Sequence, residues 1–221
     1  MMSGIRVGMW NCSGILPSSF AAEKMSFLGT LGNFDLLILI ETHHKDFMDI
    51  SPLLHSHVVT HEVLHTEASQ DDPYAGVLIL VSKAYPILSS SVLIPGRLLN
   101  FTLKSGTERL NLSAMYGYTG SQATPIKMER ISGLLKNSHA STDNNFILGD
   151  FNFVDSDLDR VNQHRSGMNQ KDIGLAKIWS QLTDELGLSD TFRLRNPKRK
   201  IVFLHSHSKW SQEQNRPGIC K

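Results

Sequence analysis

Five polar residues stand at the points where short apolar stretches of the chain end. They are Asn11, Glu41, Tyr116, Asp150 and Asn152, and each one closely follows a run with the composition of a β-strand. Any one of them can be explained as turn punctuation, because Asn, Asp and Gly commonly end strands. In layered α/β folds, however, strand ends open into a shared crevice in which ligands bind. The recurrence of the pattern therefore predicts one site built from several strand ends.

The residue types of this set suit the hydrolysis of a phosphate ester. Mg²⁺ prefers oxygen ligands and retains several waters, so one or two carboxylates hold it, and Glu41 fits that role. Asp150 can orient or deprotonate an attacking water. Asn11, Tyr116 and Asn152 can donate to, or accept from, the groups around the phosphoryl oxygens. The set thus predicts metal-assisted phosphate-ester hydrolysis.

Strands and helices must alternate along the chain to position these residues. Residues 35–40 and 145–149 are short apolar runs and are predicted to be buried strands. The amphipathic spacing of apolar residues predicts a helix at 171–186, and further helices are predicted at 18–31 and 126–135. Other strands are predicted at 5–10, 57–65, 76–82, 90–94, 98–103, 109–115 and 201–204. The predicted fold class is therefore α/β (α+β), built in layers.

The motifs around the polar residues occur in a characteristic order. They are Trp10-Asn11-Cys12-Ser13-Gly14, Ile40-Glu41-Thr42, Ala75-Gly76-Val77-Leu78-Ile79, Met115-Tyr116 and Gly149-Asp150-Phe151-Asn152. This order resembles the endonuclease/exonuclease/phosphatase superfamily, and most closely the apurinic-type endonuclease domain of non-LTR (LINE-type) retrotransposons. Segments 156–160 and 189–198 extend the resemblance, which covers residues 5 to about 209.

The resemblance implies a four-layer sandwich of two mixed β-sheets flanked by helices. It implies that Asn11 aligns the catalytic water or the phosphate, that Tyr116 contacts the phosphate and that Asp150 polarises the water. Glu41 would bind Mg²⁺, with Mn²⁺ as an alternative, and Asn152 would position both phosphate and metal.

The resemblance also implies a DNA substrate. The family nicks duplex DNA and leaves a 3′-hydroxyl that primes reverse transcription. Asp159, Arg160 and Arg193 would lie on loops near the DNA. No reverse transcriptase follows within the 221 residues, so a role in retrotransposition would need a longer parent chain that carries that domain.

The chain departs from the family pattern most clearly at its end. Ser13 stands where the family often has Asp or Asn, and Tyr118 stands in place of a usual Pro. The Ser-x-Ile-Asp and Ser-Asp-His segments of the family are absent, and no Asp follows Asp190. We therefore expect a C-terminally truncated domain at 1–209, a divergent tail at 210–221, a second sheet without its closing strands, and weak or absent catalysis.

Three other interpretations stay open at this point. The segment His61-Glu62-Val63-Leu64-His65 matches the zinc-protease pattern, but its β-branched surroundings favour a strand, in which the two imidazoles lie too far apart to share a Zn²⁺. The basic residues Arg193, Arg195 and Lys198–Lys200 suggest a non-catalytic DNA-binding module that contacts the phosphate backbone. A phosphatase or sphingomyelinase-like hydrolase of the same superfamily is the remaining alternative.

Composition sets the outer limits of these hypotheses. The chain has 221 residues, 40% of them hydrophobic and 19% charged, and a net charge of +1. This favours one domain and excludes a surface coated throughout with positive charge. No apolar run is long enough to cross a bilayer, and no leader is recognised. We expect a monomer inside the cell, in the nucleus or cytoplasm, whose histidines at 43, 44, 55, 57, 139 and 164 are solvated loop residues.

Overall fold

The computed structural model describes residues 4–15, 21–139, 144–154 and 168–196. These residues divide into two compact units. The first unit comprises residues 4–15, 21–117 and 144–151, and the second comprises the other described residues. The predicted strand at 201–204 and the predicted tail at 210–221 lie outside the described residues, so the domain boundary at 209 stays a prediction.

The first unit contains a four-stranded mixed sheet. Its strands are β1 (Val7–Asn11), β2 (Leu36–Ile40), β3 (His61–Thr66) and β4 (Val77–Ser82), in the spatial order β1-β2-β4-β3. β1 and β2 run parallel, whereas β4 is antiparallel to both of its neighbours.

A second four-stranded mixed sheet lies in the same unit. It consists of β5 (Ile87–Ile94), β6 (Leu98–Ser105), β7 (Glu108–Tyr116) and β8 (Asn144–Asp150), in that spatial order. β7 and β8 run parallel and the other pairs are antiparallel. The predicted α/β architecture with two mixed sheets is confirmed.

The two sheets share an apolar core, which explains the sequence of β2. Ile38 and Ile79 of the first sheet lie in one cluster with Phe101 and Leu112 of the second. The alternate residues of β2 and β4 point to the other face of the first sheet. There they pack in a second cluster with side chains of the helical segments 27–34 and 47–54. Because both faces of β2 are covered, all five of its side chains are buried and its sequence is apolar without interruption.

Helices α1 (Ala21–Thr30) and α2 (Phe47–Ile50) complete the first unit. A 3₁₀ turn at Leu31–Asn33 ends α1, in agreement with the predicted helix end near residue 31. A second 3₁₀ segment, Ser51–Leu54, follows α2. The sequence analysis did not predict α2, because its four residues are too few to show a helical period.

The second unit is helical in its described part. It contains α3 (Pro125–Ser138), α4 (Gln170–Leu186) and the short α5 (Thr191–Arg195), and α3 packs against α4. Each helix begins at a polar side chain that accepts a backbone N–H of its first turn: Thr124, Asn169 and Asp190. This capping satisfies donors that the first turn of a helix cannot satisfy internally.

The structure corrects several details of the sequence analysis. β3 begins at His61 rather than at residue 57, because the amide of His61 bonds the carbonyl of His57 at 2.8 Å in a turn. His44, His57 and His139 are buried rather than solvated, and the rings of His44 and His57 pack edge-on against those of His65 and His61. β8 is only partly buried and Phe146 is 42% exposed, because among the described strands β8 pairs with β7 alone.

Candidate functional site

The two parallel strand pairs bring four of the predicted residues to strand ends. In the first sheet, Asn11 lies opposite Ile40, so that Asn11 and the following Glu41 share one edge. In the second sheet, Tyr116 lies directly opposite Asp150. Each sheet thus contributes two polar side chains from the carboxyl ends of its parallel pair, which is where layered α/β folds form ligand sites.

Glu41 is held in an uncommon backbone conformation. Its φ is +56°, and Ser13, opposite it in the turn after β1, has φ +44°. Non-glycine residues occupy this left-handed region at a conformational cost. The turns after β1 and β2 are bonded to each other, because the amide of Gly14 donates to the carbonyl of Glu41 at 2.7 Å. Within the turn after β1, the amide of Ser13 donates to Asn11 Oδ1 at 3.1 Å. These bonds fix both turns at the strand ends.

The four side chains meet within the first unit. Asn11 Nδ2 lies 3.4 Å from Asp150 Oδ2. The side chains of Asn11 and Tyr116 both contact the Glu41 carboxylate. His43 lies on the other side, with its Nε2 3.6 Å from Glu41 Oε1. Glu41 is therefore the centre of a compact polar cluster.

The cluster keeps Glu41 ionised. Burial by itself raises the pKa of this carboxyl, but the contacts with His43, Asn11 and Tyr116 outweigh burial and hold the pKa below its usual value. The pKa of the Tyr116 phenol is raised, first by burial and then by the negative charges of Glu41 and Asp150. Tyr116 consequently stays a neutral hydrogen-bond donor beside a carboxylate.

Glycines allow β8 and the loop after β7 to approach closely enough to place Asp150. Gly149 has φ +155°, and a Cβ at this position would overlap the carbonyl of Met115 on β7. A Cβ on Gly117 would likewise overlap the carbonyl of Phe151. The amide of Gly117 instead donates to the carbonyl of Asp150 at 2.7 Å. Position 149 is therefore Gly for a steric reason, because no Cβ fits there. Position 150 carries the carboxylate that joins the polar cluster.

The donor set fits a hard divalent cation that keeps most of its water. Glu41 is ionised and its side chain is 23% exposed, and Asn11 bridges it to the carboxylate of Asp150. Mg²⁺ and Mn²⁺ bind through one or two carboxylates with waters in the remaining positions. A closed zinc cage needs about four ligands, and the part of the chain that the structure describes contains no group of three His, Cys, Asp or Glu able to hold a metal.

Of the other predicted residues, Asn152 and Arg193 belong to the second unit. Asn152 has φ +57°. Asp159 and Arg160 lie outside the described residues. Arg193, expected on a loop, lies on the short helix α5, because Asp190 accepts the amides of Phe192 and Arg193 and starts a helical turn.

Two residues near the cluster were missed by the sequence analysis. His43 was predicted to be a solvated loop residue but lies against Glu41. Arg97 was not singled out, yet it is 3% exposed and its guanidinium carbon lies 4.5 Å from the centroid of the Tyr116 ring. The one signal in the sequence is an isolated Arg between two apolar strands, which by itself does not distinguish a buried Arg from a surface one.

Comparison with known proteins supports the fold. By sequence, no protein family and no curated protein matches the chain. By structure, the chain matches the AP endonuclease LMAP from Leishmania major with a TM-score of 0.68 and 17% identity, over 94% of this chain and 73% of that one. It also matches truncated Caenorhabditis elegans TDP2 with a TM-score of 0.55 and 16% identity, over 75% of this chain and 66% of that one. The feature that these structures share with the chain is the α/β fold.

The chain covers only part of the length of the matched TDP2 structures. Humanized D. rerio TDP2 matches with a TM-score of 0.54 at 15% identity, over 68% of this chain and 63% of that one. The chain spans about half, 51% and 50%, of the longer C. elegans TDP2 structures. At these identities the likeness establishes the fold.

None of the helices in the described ranges combines the length and the apolar character that a bilayer crossing requires.

Proposed function

We propose that this domain is a Mg²⁺-dependent phosphodiester hydrolase-like domain for duplex DNA, with Mn²⁺ able to replace Mg²⁺, and that it is weakly active or inactive as the 221-residue chain. The observation that carries the proposal is the meeting of Asn11, Glu41, Tyr116 and Asp150 at the ends of the two parallel strand pairs. The fold shared with an AP endonuclease supports the choice of a nucleic-acid phosphodiester as substrate.

Each residue of the cluster has a distinct task in this proposal. Glu41 would hold the cation, which would supply positive charge to the phosphoryl oxygens when it is bound. Asp150 accepts a hydrogen bond from the attacking water and polarises it. Asn11 Nδ2, which now faces Asp150 Oδ2 at 3.4 Å, fixes that carboxylate. The neutral Tyr116 phenol donates to a phosphoryl oxygen, where negative charge develops.

Asn152 and the basic residues extend the site in the proposal. Asn152 follows Asp150 by two residues and contributes an amide to the phosphate and the metal. Asp159, Arg160 and Arg193 contact the DNA. The retrotransposon context, with a reverse transcriptase domain in a longer parent chain, stays a prediction based on the order of the sequence motifs.

We further propose that the 221-residue chain cleaves slowly or not at all. The sequence contains no Asp after Asp190, so the Asp and His that the family resemblance implies for proton transfer have no counterpart there. Loss of a general base commonly slows such reactions by ~10²–10⁴-fold. The second candidate function, DNA binding without cleavage, is favoured by Arg193 and Arg195, which place two positive charges on α5.

Metal binding tests the site independently of cleavage. Titration of the chain with Mn²⁺, followed by the loss of the free-ion electron paramagnetic resonance signal, should show one site. Glu41→Gln should abolish it, because the substitution removes the ionised carboxylate. Glu62→Gln is the matched control, since Glu62 is an exposed carboxylate on β3. Equal Mn²⁺ binding by both variants would contradict the proposed site.

Cleavage and DNA binding separate the remaining possibilities. We expect slow nicking of supercoiled plasmid with Mg²⁺ or none, and duplex binding that weakens steeply as salt rises. Fast nicking would overturn the weak-activity proposal, and binding without any nicking would select the non-catalytic candidate. Substrate panels of abasic duplex, plain duplex and inositol phosphate test the phosphatase alternative, which hydrolysis of inositol phosphate alone would favour.

A further inference from the structure

A buried Arg lies directly behind the candidate site. Arg97 sits in the turn between β5 and β6 and is 3% exposed. Its Nε and Nη2 donate to the two carboxylate oxygens of Asp72 at 2.6 and 2.8 Å, in a bidentate pair. Its Nη1 donates to the carbonyl of Gly117 at 2.6 Å. The guanidinium is therefore fixed in position and orientation on two sides.

The same Arg contacts Tyr116 through both its backbone and its side chain. The amide of Tyr116 donates to the carbonyl of Arg97 at 2.8 Å. The guanidinium carbon lies 4.5 Å from the centroid of the Tyr116 ring, within cation–π range. The Nη1 of Arg97, which donates to the carbonyl of Gly117, holds the chain immediately after Tyr116. The ring and the backbone on either side of the phenol are thus all positioned by one residue.

Stability alone is a poor reason for this arrangement. A buried Arg–Asp pair gains little over well-packed apolar residues of similar volume, because both charges lose their hydration. The pair nonetheless links three separate segments: the loop before β4, the turn before β6 and the end of β7. The end of β7 carries Tyr116, whose phenol contacts Glu41.

We propose that Arg97, clamped by Asp72, is a positioning residue that holds the Tyr116 ring with its hydroxyl directed at the Glu41 carboxylate. Its consequence for catalysis rests on the proposed function, whereas the positioning itself does not.

The first experiment reads the environment of Tyr116 without relying on cleavage. The chain contains four Tyr residues, so 3-fluorotyrosine labelling gives a short ¹⁹F NMR spectrum in which Tyr116→Phe identifies the resonance of residue 116. Arg97→Met should shift or broaden this resonance more than the other three, and Arg97→Lys should restore it in part. Arg6→Met is the matched control, because Arg6 forms a comparable pair with Asp35 but is exposed.

A second variant keeps the test decisive if Arg97→Met folds poorly. Asp72→Asn leaves Arg97 in place and removes the charge that clamps it, and Asp72 is partly exposed, with 18% of its side chain accessible. It should move the residue-116 resonance in the same direction by a smaller amount. If the residue-116 resonance is unchanged in both Asp72→Asn and Arg97→Lys, and these variants are folded, the proposal is overturned. Where Arg97→Met also folds, its resonance must be unchanged as well.

Nicking provides the second readout and separates the two proposals. If the chain nicks DNA, Arg97→Met should lower the rate ~10–100-fold, as expected for a misplaced catalytic group. In a Tyr116→Phe background the same substitution should add little, whereas an equal loss in both backgrounds would show that Arg97 does not act through the phenol. A chain that binds DNA and never nicks it but shows the ¹⁹F response would select the non-catalytic candidate function and leave the positioning role standing.

Discussion

The buried imidazole of His44 predicts that the fold loses stability in mild acid. His44 has no exposed surface, and its Nδ1 is 2.6 Å from the hydroxyl of Thr42. Its Nε2 has no hydrogen-bond partner among the described residues. Burial, together with the nearby His65, lowers the pKa of His44 to about 4, against a small opposite effect of Asp46. Protonation would add a positive charge and an N–H donor at Nε2, for which the described residues provide no acceptor.

The sign and size of the effect follow from the two pKa values. In the unfolded chain the pKa of a His is ~6.5. Between that pH and about pH 4, residue 44 is therefore protonated in the unfolded chain but neutral in the native protein. The free energy of unfolding must therefore fall as the pH is lowered through this window. At 1.36 kcal/mol for each unit of pKa, the loss approaches ~3 kcal/mol at its limit. For a chain of this length that loss corresponds to ~6–12 °C in melting temperature.

Thermal unfolding of matched variants isolates this contribution. We would compare the wild type with His44→Gln between about pH 7 and about pH 4.5, where most of the loss should occur. The wild type should lose ~2–3 kcal/mol more than His44→Gln over this range. The control is His55→Gln, because His55 is exposed and its removal should leave the slope unchanged. Parallel curves for all three proteins, or an NMR titration of His44 near pH 6.5, would refute the assignment.

Packing gives further predictions with opposite signs. Gly149→Ala should lower the free energy of unfolding by at least ~1–3 kcal/mol, because its Cβ would overlap the carbonyl of Met115 at a φ that disfavours other residues. Gly133→Ala on α3 should raise it by ~0.5–1 kcal/mol, since nothing lies within 4 Å and Ala favours helix. Ile38→Ala should lower it by ~2–5 kcal/mol, because Ile38 is fully buried between the sheets. Chemical denaturation checks all three, and a stabilising Gly149→Ala or a neutral Ile38→Ala would contradict this account of the packing.

The sequence predicted those features that depend on local pattern. The uninterrupted apolar run at 36–40 predicted a strand covered on both faces, and β2 is buried along its whole length. The alternation of apolar residues at 171–186 predicted α4 almost to the residue. The segment 61–65 was predicted to be a strand, which β3 confirms. In each case the pattern of apolar and polar residues along one segment is enough to indicate its secondary structure.

Features that depend on distant partners were not predictable in the same way. Whether β8 is central or at an edge depends on the strands beside it, so its half-exposed state cannot be inferred from residues 145–149. Arg97 owes its position to Asp72 and Gly117, which lie 25 and 20 residues away. A single His carries no local sign of burial, which is why His44 was mistaken for a solvated residue.

The distance along the chain between Asn11 and Asp150 has a consequence for how the domain acquires its site. These two residues are 139 positions apart and come from different sheets. Their contact therefore closes a loop of nearly two thirds of the polypeptide. Fragments and partly collapsed intermediates will accordingly lack the cluster altogether. Any ligand that binds there will favour the native state by mass action, and its affinity will serve as a sensitive gauge of complete folding.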